Sequence, residues 1–284
     1  MKILVTGSSG FVGKSLVRGL SKNYEVCGLS RRESDTTHFR ADITSPDIKN
    51  LLNNINPDLL IHSVKLPKSV DYYEFNREEA RNTEIGGTTN LVDWSRERKI
   101  KLILISTDYV YEGKTNNYRE DSETKPVNYY GELKLQIERI VSNNLENYII
   151  LRPTVIFGYV PDDSNFLMQI LNTKEKKRIP YDQISNPTDI NVFADYTQSL
   201  IEKNATGLFV ATGPESINRY DFTLMIADIF SLDKALFMPV STQELSQIAK
   251  RPLNNGTDSS RIRNYLNYSC PSLYESLQRI KRSI

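Results

Sequence analysis

The sequence has little of what disulfide-bonded, zinc-binding or membrane-spanning proteins require. Its 284 residues include two cysteines, Cys27 and Cys270, and two histidines, His38 and His62. Two cysteines outside a CxxC pair cannot build a disulfide framework, and this set of thiols and imidazoles does not make a zinc-ligand pattern. We therefore expect no metal site. No run of about 18 apolar residues occurs, which argues against a membrane span. The first apolar run, residues 1–5, is too short for a signal peptide, so we expect a cytoplasmic protein.

An excess of charge of one sign is also missing. Lysine and arginine together number 36, aspartate and glutamate 35, and the net charge is +1. Proteins that bind nucleic acid usually carry a basic excess or a basic stripe, so we expect no nucleic-acid partner. The hydrophobic fraction of 39% and the charged fraction of 25% are ordinary for a globular chain, and this length is ample for a large core.

Short apolar runs alternate with amphipathic segments through the first half. The pattern predicts strands at residues 3–5, 24–29, 58–61, 102–105 and 148–151, and helices at 11–20, 76–98 and 128–142. This alternation is typical of an α/β fold, a Rossmann-type doubly wound parallel sheet. Beyond Pro153, frequent prolines predict a smaller, irregular C-terminal substrate lobe. We expect residues 1–153, with a returning segment at about 188–204, to form the cofactor domain, and 154–187 and 205–284 to form the lobe.

A glycine-rich turn, GSSGFVG at residues 7–13, directly follows the first strand and opens the first helix. In a dinucleotide fold the first glycine permits the tight turn, the second lets the backbone approach a pyrophosphate, and the third lets helix pack on strand. The N–H groups at the helix start attract phosphate. We predict that a dinucleotide contacts Gly7, Ser9, Gly10, Phe11, Val12 and Gly13.

The residues after the second strand indicate which dinucleotide binds. An NAD enzyme usually has an acidic residue there to accept a hydrogen bond from the ribose 2′-hydroxyl. This chain has Arg31 and Arg32 instead. Guanidinium groups suit a 2′-phosphate through charge and forked donors, so the sequence favours NADP(H) over NAD(H).

Tyr130 and Lys134 form a YxxxK pair within a predicted helix, where residues four apart share a face. An ammonium beside the phenol should lower its pKa from about 10, so that Tyr130 can give or take a proton at a carbinol carbon. Thr107 follows the strand at 102–105, at the strand end where α/β sheets bind ligands, and its hydroxyl can bond the same oxygen. We predict Thr107, Tyr130 and Lys134 as the catalytic residues.

Several motifs carry a family resemblance. The glycine turn and the YxxxK pair resemble those of extended short-chain dehydrogenases. The segment STDYVYEG at residues 106–113 is similar to the STDYVFDG stretch of dTDP-4-dehydrorhamnose reductases, which also occurs in the regulatory beta subunit of methionine adenosyltransferase. Further agreement lies at residues 151–153, 182–183, 187–188, 207–209 and 251–254.

The resemblance implies an NADPH-dependent reduction of the 4-keto group of a nucleotide-linked 6-deoxysugar. Tyr130 would protonate the oxygen, Lys134 would hold the nicotinamide ribose, and Thr107 would orient the carbonyl. It also implies cofactor contacts at Asp42, Ile43, Val64, Tyr130 and Lys134, and substrate contacts at Thr107, Asp108, Tyr109 and Arg251. The segment 182–188 would border the sugar-nucleotide pocket. A homodimer is a further expectation from the resemblance alone.

Two departures from the family pattern leave substrate identity and cofactor fit open. Lys65 stands where relatives carry alanine, and Glu84 stands where they carry asparagine ahead of a Gly-Thr pair. Two other functions stay open beside the reductase. One is a sugar-nucleotide epimerase of the same superfamily, although Asp108 and Tyr109 after Thr107 fit reductases better than dehydratases. The other is a cofactor-binding regulatory subunit with vestigial catalytic residues.

Overall fold

The computed structural model describes residues 1–66, 69–161 and 163–284. The strands, in chain order, are β1 (Lys2–Thr6), β2 (Glu25–Ser30), β3 (Phe39–Arg40), β4 (Leu59–His62), β5 (Lys101–Ile105), β6 (Tyr148–Arg152), β7 (Ile156–Phe157), β8 (Lys177–Pro180), β9 (Ile184–Ser185), β10 (Thr188–Asp189), β11 (Gly207–Val210), β12 (Ile217–Asn218) and β13 (Phe237–Val240). The helices are α1 (Phe11–Leu20), α2 (Ile48–Ile55), α3 (Val70–Phe75), α4 (Arg77–Arg81), α5 (Gly87–Arg98), α6 (Tyr129–Asn144), α7 (Phe166–Leu171), α8 (Ile190–Glu202), α9 (Arg219–Phe230), α10 (Ser260–Leu266) and α11 (Leu273–Arg282). A π-helical turn, Asn82–Gly86, joins α4 to α5.

Seven parallel strands form one sheet in the order β11-β6-β5-β4-β1-β2-β3. The central strands β4 and β5 are buried along their whole length, as their continuous apolar runs predict for strands covered on both faces. Helices α1 and α8 cover one face, and α2, α5 and α6 cover the other. The predicted Rossmann-type fold is confirmed.

The direction in which the chain winds reverses at β1, which has β2 on one side and β4 on the other. In open α/β sheets such a switch point leaves a crevice at the carboxyl ends of the strands, where ligands bind. The glycine turn after β1, the arginines after β2, Val64 after β4 and Thr107 after β5 all follow strands at this edge. The topology therefore gathers the predicted cofactor and catalytic segments at one edge of the sheet.

A smaller lobe packs its own core between α7, α9 and α11, and contains three two-stranded sheets, β7 with β10, β9 with β12 and β8 with β13. One predicted boundary is wrong. Residues 205–284 were expected in the lobe, but β11 pairs with β6 as the edge strand of the large sheet, and α10 packs on β11 through Ile262. Phe209 of β11 and Ile262 of α10 pack in the apolar core on the sheet face that α8 covers, and this burial brings the segment back to the large sheet. The rest of the proposed division remains a proposal.

Among residues 1–66, 69–161 and 163–284, no helix is both long enough and apolar enough to span a bilayer.

A buried ionic network fixes α6 on the sheet. Glu138 of α6 accepts two hydrogen bonds from the Arg152 guanidinium at the end of β6, at 2.9 Å to Oε1 and 2.6 Å to Oε2. The Ser106 hydroxyl also donates to Glu138, and Arg152 Nη1 donates to the Tyr111 hydroxyl at 2.9 Å. The pair is almost fully buried, with side-chain exposures of 5% and 4%. Its function is to anchor the helix that carries Tyr130 and Lys134.

We predict that Arg152→Met destabilises the protein by about 3–5 kcal/mol, because it leaves the Glu138 carboxylate buried without its partner. The free energy of unfolding in urea measures the loss. Arg18→Met is the matched control, since it removes an exposed guanidinium from a surface pair with Asp35 and should cost about 0–1 kcal/mol. Equal losses in the two variants would contradict the anchoring role.

Candidate active site

The glycine turn is shaped so that side chains are excluded from two of its positions. Gly7 has φ +77°, and a Cβ there would lie 2.9 Å from the Ser63 carbonyl carbon. A Cβ on Gly13 would lie 2.2 Å from the Gly7 carbonyl oxygen. Helix α1 begins after Gly10 with no side-chain cap, so its first N–H groups are available to an anion. The turn is therefore tight and the helix start is open, and contact of these residues with a pyrophosphate stays a prediction.

Basic side chains surround the ends of β2 and β3. Arg31 and Arg32 are exposed, and Arg31 Nη1 lies 3.5 Å from Asp42 Oδ2. Arg40, which the sequence analysis did not select, donates from Nε to the Arg31 carbonyl at 3.2 Å and adds a third guanidinium. Between the glycine turn and β2, a hydrogen bond of 2.5 Å joins the Ser9 and Ser30 hydroxyls. This cluster has the charge that a 2′-phosphate requires.

Several other residues that were predicted to contact the cofactor make contacts within the protein itself. The Ile43 side chain is buried in the core against Gly87, and its carbonyl accepts from Asn90 Nδ2 at 2.9 Å. Phe11 and Val12 are half-buried and pack on the apolar core beneath α1. The Val64 carbonyl faces the Lys134 ammonium at 3.5 Å. Cofactor contacts by these residues stay predictions.

The three predicted catalytic residues converge. Asn128 caps α6 by accepting from the Gly131 N–H at 2.9 Å, which sets Tyr130 in the first turn. Gly131 is needed because a Cβ would lie 2.3 Å from the Tyr109 carbonyl oxygen, so the helix lies directly on the segment after β5. The Thr107 side chain lies beside Tyr130 and lowers the pKa of its phenol. Thr107 and Tyr130 can thus act on one substrate oxygen.

Lys134 faces a carboxylate and not the phenol. Its ammonium lies 2.9 Å from Glu84 Oε2 and 5.9 Å from the centre of the Tyr130 ring. The YxxxK spacing predicts that the lysine lowers the pKa of Tyr130, but the Lys134 ammonium is paired with Glu84 and the pKa of Tyr130 is raised. Burial raises the pKa of Tyr130, the Glu84 charge raises it further, and the Thr107 side chain only partly opposes them. Tyr130 is therefore a protonated acid at neutral pH.

Two of the predicted substrate residues, Asp108 and Tyr109, lie just after β5. Asp108 is buried and accepts from Asn255 Nδ2 at 2.7 Å and from Thr107 Oγ1 at 3.1 Å, so its carboxylate ties the C-terminal segment to the end of β5. Tyr109 lies edge-on to Tyr130, with ring centres 5.8 Å apart. Substrate contact by Asp108 and Tyr109 stays a prediction.

Arg251 approaches the site from the C-terminal segment. It is mostly buried and donates to Asp71 Oδ1 at 3.0 Å and to the Ala249 carbonyl at 2.7 Å. Burial raises the pKa of Tyr109, whereas the positive charges of Arg219 and Arg251 lower it, which puts both guanidinium groups near the phenol.

The segment 182–188 is bonded within the lobe, since Asp182 accepts from the Thr242 hydroxyl at 2.6 Å.

Comparison with known proteins agrees with the fold and with these motifs. The family model described as "RmlD substrate binding domain" matches residues 1–283. The chain belongs to this family. It is 28% identical to methionine adenosyltransferase 2 subunit beta of Xenopus tropicalis, over 92% of this chain and 81% of that one, and 27% identical to dTDP-4-dehydrorhamnose reductase of Aggregatibacter actinomycetemcomitans, over 92% of each. A crystal structure of dTDP-4-dehydrorhamnose reductase from Bacillus anthracis in complex with NADP superposes with a TM-score of 0.90 at 26% identity, covering 100% of this chain and 99% of that one.

Besides Arg40, three residues at the site of this RmlD-family chain, Glu84, Tyr73 and Arg219, were not selected as site residues from sequence. Glu84 was noted only as a departure from the family pattern. Tyr73 donates from its hydroxyl to Glu84 Oε1 at 2.7 Å. Arg219, at the first turn of α9, lies beside Tyr109. Tyr73 and Arg219 belong to no motif, and only the fold brings them to the carboxyl edge of the sheet.

His62, at the end of β4, is a structural residue within this site. Its two ring nitrogens form hydrogen bonds with the hydroxyls of Thr6 and Thr88, at 2.9 and 3.0 Å. Burial lowers the pKa of His62 to about 3, and the nearby Lys134 charge adds to the effect. An unfolded imidazole has a pKa of about 6.5, so the stability from neutral His62 is present above that pH and is lost as the pH falls toward 3.

We predict that His62 stays neutral between pH 8 and pH 5. In the His38→Gln variant only one imidazole remains, and its proton and nitrogen NMR shifts should stay constant over that range. The wild-type spectrum supplies the control, since a second imidazole signal is assigned to His38 by difference. A titration of the remaining ring with a midpoint near 6.5 would show that the two threonine hydrogen bonds do not hold it neutral.

Proposed function

We propose that the protein is an NADPH-dependent reductase of the 4-keto group of a nucleotide-linked 6-deoxysugar. The observation that carries the proposal is the convergence of Thr107 and Tyr130 at the carboxyl edge of the sheet, next to the glycine turn. The kinship with dTDP-4-dehydrorhamnose reductases supports the substrate class.

The residues present fit a dinucleotide. Gly7 and Gly13 keep the turn packed closely against the backbone, and the uncapped start of α1 offers N–H groups to the pyrophosphate. Arg31, Arg32 and Arg40 would bind a 2′-phosphate, which favours NADPH over NADH. Lys134, next to the Val64 carbonyl, would hold the nicotinamide ribose. When bound, the cofactor supplies the hydride.

The proton comes from the protein. Tyr130 would donate its phenolic proton to the ketone oxygen as carbon C4 accepts the hydride. The Thr107 hydroxyl, which donates to Asp108 in this structure, would turn to bind the same oxygen. The C=O bond becomes CH–OH, and the phenolate left on Tyr130 regains a proton from solvent. The raised pKa of Tyr130 suits this direction of reaction, because the acid form predominates at neutral pH.

Positive charge on the lobe side supports a diphosphate-linked sugar. Arg219 and Arg251 both lie near Tyr109, whose ring contacts that of Tyr130. Two guanidinium groups can bind a pyrophosphate through charge and paired donors. A nucleotide diphosphate held there would bring its attached sugar toward Tyr130.

A second function is favoured by one observation, the engagement of Lys134 by Glu84. A chain that binds the dinucleotide without turnover would act as a subunit of another enzyme, and kinship with methionine adenosyltransferase 2 subunit beta supports that alternative. Binding of NADPH without oxidation in the presence of 4-keto sugar nucleotides would favour it over the reductase.

We expect the protein to oxidise NADPH when dTDP-4-dehydrorhamnose is added, measured as the loss of absorbance at about 340 nm. Tyr130→Phe should lower kcat by at least about 100-fold, because it removes the general acid. Tyr129→Phe is the matched control: it deletes a neighbouring phenol whose hydroxyl lies 3.4 Å from the Arg77 carbonyl, and it should keep kcat within about twofold of wild type. Full activity in Tyr130→Phe would exclude the proposed acid.

We also expect the double variant Arg31→Ala/Arg32→Ala to weaken NADPH binding by about tenfold or more and to leave NADH binding almost unchanged, because only NADPH carries the 2′-phosphate. Fluorescence titration of each cofactor gives the two dissociation constants. Arg98→Ala, at the end of α5 and remote from the carboxyl edge, should change neither. An equal loss for both cofactors would contradict 2′-phosphate recognition.

A further inference from the structure

The π-helical turn between α4 and α5 carries a carboxylate into the site. Glu84 is 1% exposed, although it lies on a segment whose neighbours Glu78 and Glu79 are exposed. A π turn shifts the helical register by widening the backbone ring, and such turns occur often at functional sites. Here the turn directs Glu84 toward α6, against Lys134.

The two oxygens of the Glu84 carboxylate have different surroundings. Oε1 accepts a hydrogen bond of 2.7 Å from the Tyr73 hydroxyl. Oε2 lies 2.9 Å from the Lys134 ammonium, but within the described part of the chain it has no partner with hydrogen-bond angles. Oε2 therefore keeps an acceptor site in a place from which water is excluded.

Lys65 is linked to the same carboxylate through Leu66, whose N–H donates to the Tyr73 hydroxyl at 3.1 Å. Lys65 donates to the Leu66 carbonyl at 3.0 Å. Desolvation lowers the pKa of Lys65, the Glu84 charge opposes that change, and the Lys134 charge adds to it. The two departures from the family pattern thus carry opposite charges that interact. Glu84 and Lys65 cancel, and the group of Glu84, Lys65 and Lys134 keeps a net charge of +1.

We propose that Glu84 is a positioning residue for the proton donor: its carboxylate holds the Lys134 ammonium and sets, together with Lys65, the charge beside Tyr130. The proposal deepens the proposed function, on which its kinetic readout rests. Glu84 touches Lys134 and Tyr73, and the Tyr73 ring lies edge-on to Tyr130 at 5.0 Å between centres. The carboxylate thus acts on the donor through its neighbours.

The other groups around Tyr130 do not substitute for Glu84. On the side of β5, Thr107 lowers the pKa of the phenol, and Asp108 and Tyr109 raise it less than Glu84 does. Among the described residues, other titratable and charged groups near the site include His62 on β4, Lys65 after β4, Asp71 and Tyr73 on α3, Lys134 on α6, Arg219 on α9 and Arg251 on the C-terminal segment. His62 is neutral, Tyr73 is a protonated donor to Glu84, and the two arginines face Tyr109.

The test follows the ionisation of Tyr130 without turnover. Protein labelled with 13C at the tyrosine ζ carbon gives one NMR signal that is missing in Tyr130→Phe, and the pH at which this signal begins to move reports its ionisation. Glu84→Gln keeps the shape and removes the charge, so the onset should shift to lower pH by about one unit. Glu84→Gln/Lys65→Met restores the net charge and should return the onset to within about half a unit of wild type.

Glu79→Gln is the matched control, because Glu79 on α4 also accepts from a tyrosine, the Tyr72 hydroxyl at 2.6 Å, but at the surface. It should leave the onset unchanged. If the onset of Tyr130 ionisation in Glu84→Gln equals that of wild type, the proposal is overturned. If the double variant has the same onset as Glu84→Gln, the contribution of the Lys65 charge is overturned.

The kinetic readout separates this proposal from the proposed function. In the reductase assay the alkaline limb of kcat should move to lower pH in Glu84→Gln by the same amount as the NMR onset, since reduction requires protonated Tyr130. A shifted NMR onset in a protein that never oxidises NADPH would support the positioning role and reject the reductase. Turnover in Glu84→Gln with neither the alkaline limb of kcat nor the NMR onset shifted would support the reductase and reject the positioning role.

Discussion

The site depends on the buried ion pair between Glu84 and Lys134. Two charges taken out of water are costly, and their attraction offsets that cost only where the geometry is good and the other lone pairs are satisfied. Here the Tyr73 hydroxyl satisfies one carboxylate oxygen, and the ammonium also faces the Val64 carbonyl. The pair joins the π turn to α6 one helical turn from Tyr130, the proposed proton donor.

Helix α6 is consequently held by charge at two successive turns. Lys134 pairs with Glu84, and Glu138, four residues later on the same face, pairs with Arg152. The Asn128 cap fixes the helix start, and the close approach at Gly131 sets its distance from the segment after β5. In the proposed reduction, a proton donor on a helix held at these points would need little reorganisation when a ketone binds, which is the property that electrostatic catalysis requires.

Much of this arrangement could be predicted from the sequence. Buried strands such as β4 and β5 are continuous apolar runs. The glycine turn and the YxxxK pair are local patterns, and their spacing and order along the chain are typical of this fold. Other features depend on contacts that no local pattern contains. Strand β11 has four residues and lies at an edge, so its signal is weak. Helical periodicity gives no sign of a π turn, and therefore Glu84 could be noted but not paired. Asp108 and Arg251 resemble ligand-binding residues, but their partners, Asn255 and Asp71, are distant in sequence.

The central claim is that a hydride reaches a sugar carbon whose oxygen faces Tyr130. The most direct measurement uses NADPH carrying deuterium at the transferable position of the nicotinamide, incubated with the protein and dTDP-4-dehydrorhamnose, followed by mass spectrometry and NMR of the sugar nucleotide. The account predicts one deuterium in the product, bonded to C4. A reduced product without deuterium at C4, or bound cofactor with no reduced sugar, would contradict it.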